Sequence, residues 1–110
     1  MEERTEFNDH RIFARFAARF PLRLLDLNAG KECDAMVQDV SAKGLGLVAS
    51  EALAPLTPLE MWLNIPDKGE PLYVRGEVAW SKKLDADQYR IGVNLERADL
   101  MGLSRVLRVI

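Results

Sequence analysis

Two short segments carry the residues whose types and spacing can do chemistry. Arg11 and Arg15 are separated by three residues, and each offers a planar five-donor fork that grips phosphate oxygens or the O6 and N7 edge of a guanine. Arg19 and Arg23 follow, so four guanidiniums fall within the stretch HRIFARFAARFPLR, which holds no acid. This is a local anion site in a chain whose formal net charge is -2. It suits a compact phosphate ligand better than a long duplex, whose affinity needs many spread contacts. The second segment is Asp39-Val40-Ser41-Ala42-Lys43-Gly44. Asp39 can accept from the N1 and N2 donors of a guanine and Ser41 can hydrogen-bond a phosphate. Gly44 allows a left-handed or closely approached backbone. Each segment also has a plainer explanation. Residues 9 to 20 read as a helix would put Phe13, Phe16 and Phe20 near one face and Arg11, Arg15 and Arg19 on another. The second segment read alone is an Asx turn between strands.

Catalytic machinery is thin, and no enzyme activity is expected. The single histidine, His10, sits in a charged stretch, and no Cys and His cluster has metal-ligand spacing. Ser41 has no base near it in sequence, and a nucleophile needs one aligned. Asp85 and Asp87 belong to a polar turn. Neither a Walker loop nor a dinucleotide fingerprint occurs, because Gly44 and Gly46 lead into a strand. Cys33, the only cysteine, falls in an alternating stretch and is expected to be a small buried hydrophobe.

These residues must be positioned by strands. Ala18, Phe20, Leu22 and Leu24 alternate with Arg19, Pro21 and Arg23, and Asn28 to Gly30 supply a turn. Cys33, Ala35 and Val37 resume the alternation, followed by Leu45, Leu47 and Ala49. Two prolines make ALAPLTPLE a loop that keeps Leu53 and Leu56 near a barrel rim. Leu59, Met61, Leu63 and Ile65 give another strand, ended by PDKGEP. Leu72, Val74, Gly76, Val78 and Trp80 form the cleanest alternation, which puts Trp80 on the apolar phase. SKKLDADQ reads as a polar turn, and Tyr89, Ile91, Val93 and Leu95 as the last strand. Leu100, Leu103 and Leu107 then recur at helical spacing after a capping Asp99. With 110 residues, six strands and one short helix predict a single all-β dominated unit, a small six-stranded antiparallel β-barrel with a C-terminal helix. The expected division is an N-terminal arm over 1–16 and the barrel with its helix over 17–110. The apolar face of the helix either caps the barrel or pairs with a second copy, so monomer and weak homodimer both stay open.

Arg11-x-x-x-Arg15 ahead of the first strand and Asp39-x-Ser41-x-x-Gly44 after the second resemble the two signature motifs of PilZ domains, bacterial receptors for the second messenger cyclic di-GMP. Gly76-Glu77-Val78-Ala79-Trp80 and Tyr89-Arg90-Ile91-Gly92-Val93-Asn94-Leu95 resemble the family's later paired strands. The resemblance implies a split barrel in which Arg11 and Arg15 clamp phosphates and guanine edges, while Asp39, Ser41 and Gly44 surround one guanine and its phosphate. Many members carry another arginine directly before the first of the pair. His10 stands there in this chain, which implies a weaker or pH-dependent contact and favours one bound ligand over a stacked pair.

The expected mechanism is coupled ordering: ligand bridges the arginines and the Asp39 turn, folds the arm across the barrel and presents a surface to a separate effector protein. Two rivals belong to other classes. One is a ligand-independent interaction module on the same barrel. The other is a single-strand nucleic-acid binder using Trp62, Trp80, Tyr73 and Tyr89, disfavoured because Trp80 and Tyr89 fall on apolar phases. No nucleic-acid partner and no membrane insertion are expected. The acidic start MEERTEFNDH lacks an apolar signal stretch, so the expected location is cytoplasmic.

Overall fold

A computed structural model describes residues 15–41, 43–96 and 104–107. The strands are β1 (Phe16–Asp26), β2 (Lys31–Val40), β3 (Gly44–Ala49), β4 (Pro58–Leu63), β5 (Leu72–Asp85) and β6 (Gln88–Leu95), followed by a helical turn α1 (Ser104–Leu107). Every pairing is antiparallel, and the order β1-β2-β3-β6-β5-β4 closes through β1 and β4 into a barrel. Strand formation from Phe16 onward rules out a helix continuing to Phe20.

The alternation exists because one face of each strand is buried. Leu22 and Leu24, Val37, Leu45 and Leu47, Leu59, Met61 and Leu63, Val74 and Val78, and Ile91 and Val93 fill the interior. At about 25 cal/mol per Å² this contiguous apolar face is the main force holding the barrel closed. Cys33 and Tyr89 pack partly buried against the core, and burial pushes the Cys33 thiol pKa up. Val106 of α1 is fully buried. Beside it Arg105 donates from Nε and Nη2 to the two carboxylate oxygens of Asp67, both at 2.8 Å, and from Nη2 to the Glu70 carbonyl at 2.9 Å. The helical turn therefore caps the core and is tied to the β4–β5 loop. Leu100, Leu103 and Asp99 lie outside the described residues.

Two expectations need correction. Trp80 is not on the buried phase: Val78 pairs with Val93 and Trp80 with Gly92, so Ala79 is an extra residue, and the bulge turns the indole to the outer face, 37% exposed. The polar turn is shorter than SKKLDADQ, because β5 runs to Asp85 and only two residues separate it from Gln88. Ser81 to Gln88 form a hairpin whose faces are largely exposed, so no apolar alternation marks them. In the loop before β4, Leu53 is buried, while Leu56, 71% exposed with φ 72°, donates its amide to the Val78 carbonyl at 2.7 Å and so stays beside β5.

Candidate functional site

The outer face of the barrel carries one transverse row that differs from its surroundings. Asp39 on β2 pairs with Gly46 on β3, Gly46 with Gly92 on β6, and Gly92 with Trp80 on β5. Bulges at both ends of the row, between Val37 and Asp39 and between Val78 and Trp80, turn the polar and aromatic side chains outward. The two glycines leave the middle bare. A Cβ on Gly46 would lie 2.6 Å from Asp39 Oδ1 and 2.8 Å from Oδ2, and one on Gly92 would strike the Trp80 indole. The flanking carboxylate and ring therefore lean inward over the glycines, each filling the space of an absent side chain.

Asp39 is the electrostatic centre. Its side chain is 10% exposed, and it accepts from Arg15 Nη1 at 2.5 Å through Oδ1 and from Arg90 Nη2 at 2.6 Å through Oδ2. Arg15 and Arg90 are 50% and 38% exposed, so both forks keep access to solvent and retain donors for another acceptor.

The β2–β3 turn closes with Ser41 N–H donating to the Gly44 carbonyl at 2.9 Å and Gly44 N–H to the Ser41 carbonyl at 3.3 Å. Ser41 Oγ accepts from the Lys43 amide at 3.3 Å, which leaves its hydroxyl proton to donate elsewhere. Gly44 does not take a positive φ. Of the two roles open to it, close approach is the one found, since a Cβ there would collide with the Val93 carbonyl.

Arg15, Ser41, Lys43, Gly44, Ala79, Trp80, Gly92 and Asn94 line an open groove of about 290 Å³. Of the residues singled out from the sequence, Arg15, Ser41 and Gly44 border it, and Asp39 is tied to Arg15 at its edge. Arg11 and His10 lie outside the described residues. Arg19 is exposed, and Arg23 lies 3.5 Å from both Glu32 and Asp34 on the outer face, so neither joins the groove. Trp80, Lys43, Asn94 and Arg90 were missed. No signal in the letters marked Trp80, because Gly92, over which its ring lies, comes opposite it only through the bulge in the folded register.

Exposure of Trp80 beside Arg15 and Lys43 also removes one argument made against base stacking. Tyr89 remains half-buried against the core, and Trp62 and Tyr73 pair with each other, ring centroids 5.5 Å apart, with the Tyr73 hydroxyl donating to Glu60. This arrangement offers one stacking surface at the groove, enough for a single base and unlike an extended strand-binding track. Among the described residues no group of His, Cys, Asp and Glu side chains is placed to hold a metal ion. No helix there is long and apolar enough to cross a membrane.

A closed six-stranded antiparallel barrel with a polar groove on its outer wall defines a small β-barrel binding domain. The chain belongs to the PilZ family: the PilZ domain model matches residues 9–109. Among solved structures it is similar to the PilZ domain of YcgR from Escherichia coli with c-di-GMP, at 13% identity, TM-score 0.67, covering 88% of each chain. It also resembles the PilZ domain of CeSA from a cellulose synthesizing bacterium, at 16% identity and TM-score 0.58, covering 87% of this chain and 93% of that one. The Bacillus subtilis inhibitor of motility (MotI/DgrA) matches at 13% identity and TM-score 0.65, over 88% of this chain. The chain spans about half of that protein, 49% of its length. At such identities these likenesses establish the fold. A search of curated proteins gives no match.

Proposed function

We propose that this chain is a non-enzymatic receptor that binds cyclic di-GMP through Arg11, Arg15, Asp39, Ser41 and Gly44, with His10 beside them. Ligand binding orders the arm over residues 1–16 and so signals to a separate effector protein in the cytoplasm. The observation that carries this reading is the groove itself, where arginine, serine and lysine donors stand beside an exposed indole laid over Gly92. Anion donors beside a flat stacking surface fit a nucleotide, whose phosphate and base need both at once. Membership of the PilZ family adds support, as does the likeness to a PilZ domain described with c-di-GMP. At about 290 Å³ the groove is at the small end of ligand clefts. It receives one guanine and its phosphate, and the arm with Arg11 covers the rest.

Isothermal titration with cyclic di-GMP, against GTP and linear pGpG as controls, is the direct test. Selective binding at micromolar affinity or tighter is the expected result, and R15A should weaken it by about 2 kcal/mol, roughly 30-fold, with the fold intact. Equal affinity of R15A and the parent would refute the assignment. The competing reading, a ligand-independent interaction module, draws on the ion pairs that already occupy Asp39. An absence of heat together with an unchanged melting temperature would favour it.

A further inference from the structure

Arg90 is outside both sequence motifs and 51 positions from Asp39, yet its guanidinium reaches from β6 across β3 to the Asp39 carboxylate on β2. Gly46 lies between the two strands, and its missing side chain is what lets the carboxylate settle there. The division of labour on Asp39 is uneven in one respect. Oδ1 is held by Arg15, which precedes β1, whereas Oδ2 is held by Arg90 from within the ladder, two residues from Gly92.

We infer that Arg90 is a positioning residue that fixes the plane of the Asp39 carboxylate so that it can read the N1 and N2 donors of a guanine. The inference rests on the receptor function proposed above. A phosphate arriving at Arg15 competes with Oδ1 for that guanidinium, and a carboxylate released from both partners would turn freely about its Cβ–Cγ bond. Arg90 keeps Oδ2 anchored through one lone pair, which leaves the carboxylate further lone pairs with which to accept from a base. Arg15 is the exchangeable partner and Arg90 the permanent one. Fixed geometry is what converts a carboxylate near a base into a discriminator, because a site built to pair a donor penalises the analogue that lacks it.

The test compares cyclic di-GMP with cyclic di-IMP, which has the same charge and phosphates but lacks the exocyclic amine. The parent should prefer the guanine ligand by about tenfold, the worth of one hydrogen bond to a charged acceptor. In Arg90→Gln the ratio should fall to about two- or threefold, and Arg90→Lys should recover part of it, since lysine restores the charge without the fork. Loss of a positive charge weakens both ligands alike, so the ratio isolates positioning from general attraction. A merely structural Arg90 would move the melting temperature and leave the ratio alone. Parental binding with undiminished discrimination in both variants overturns this inference by itself. A parent that binds neither ligand overturns the receptor reading, and this inference with it.

Discussion

Gly46→Ala isolates the packing of the Asp39 carboxylate over a bare strand. The new Cβ would sit 2.6 Å from Oδ1, where ordinary contact begins near 3.4 Å, so the carboxylate must retreat by about 0.8 Å or rotate away. Either movement disturbs bonds of 2.5 and 2.6 Å to Arg15 and Arg90. Fully buried charge-assisted bonds contribute about 1.5–3 kcal/mol each. With the arginines 50% and 38% exposed, solvent screening reduces each to about 1 kcal/mol or less. Their disruption therefore costs about 1–2 kcal/mol. Opposing it, alanine restricts the unfolded chain and gains about 0.5 kcal/mol, because Gly46 has no positive φ to forbid it. The net expectation is a loss of about 1 kcal/mol in the parent and a gain of about 0.5 kcal/mol in an Asp39→Ala background, where the space is empty. Urea unfolding of the four proteins in a double-mutant cycle measures this coupling. The same effect of Gly46→Ala in both backgrounds, within about 0.3 kcal/mol, would show that the carboxylate yields without cost and that its packing contributes nothing.

Trp80→Ala should lower stability by about 1–2 kcal/mol, less than the roughly 3–5 kcal/mol of a core tryptophan, because the indole covers Gly92 from outside and its loss leaves no sealed cavity. A loss above about 3 kcal/mol in urea unfolding would make Trp80 part of the core after all. The hydrogen bonds from Arg105, aided by the Gly69 amide, lower the Asp67 pKa from 3.8 to about 2. Its folded-state value is depressed, so the stabilisation is fully present above about pH 4 and is lost as pH falls through about 2. The melting-temperature difference between the parent and Asp67→Asn should therefore shrink between pH 5 and pH 2. A constant difference would remove the ion pair from the account of how α1 is held.

Strand positions were legible wherever a single face is buried, as with Leu22 and Leu24 on β1 or Leu59, Met61 and Leu63 on β4, because burial imposes the period of two. Legibility failed where that condition fails. Ser81 to Asp85 run in a hairpin with little buried on either side, so nothing marked them as strand. Trp80 continued the alternation in the letters but not in space, since one added residue at Ala79 reverses the phase of the strand beyond it. Arg15, Asp39, Ser41 and Gly44 stood out because their chemistry is compressed into short segments. Arg90 did not, because its partner is brought to it only by the neighbouring pairings of β2, β3 and β6. The roles of Gly46 and Gly92 depended on knowing what lies across from them, and a one-dimensional reading contains no such information.

The Gly46–Gly92 rung has a bearing on how the barrel wall is covered. Sheets are knit by side chains meeting across neighbouring strands, and at this rung β3 and β6 have none to offer each other. Cohesion there is lent by Asp39 and Trp80 from the strands on either side. Loss of either side chain would bare neighbouring stretches of backbone that nothing on β3 or β6 screens from water.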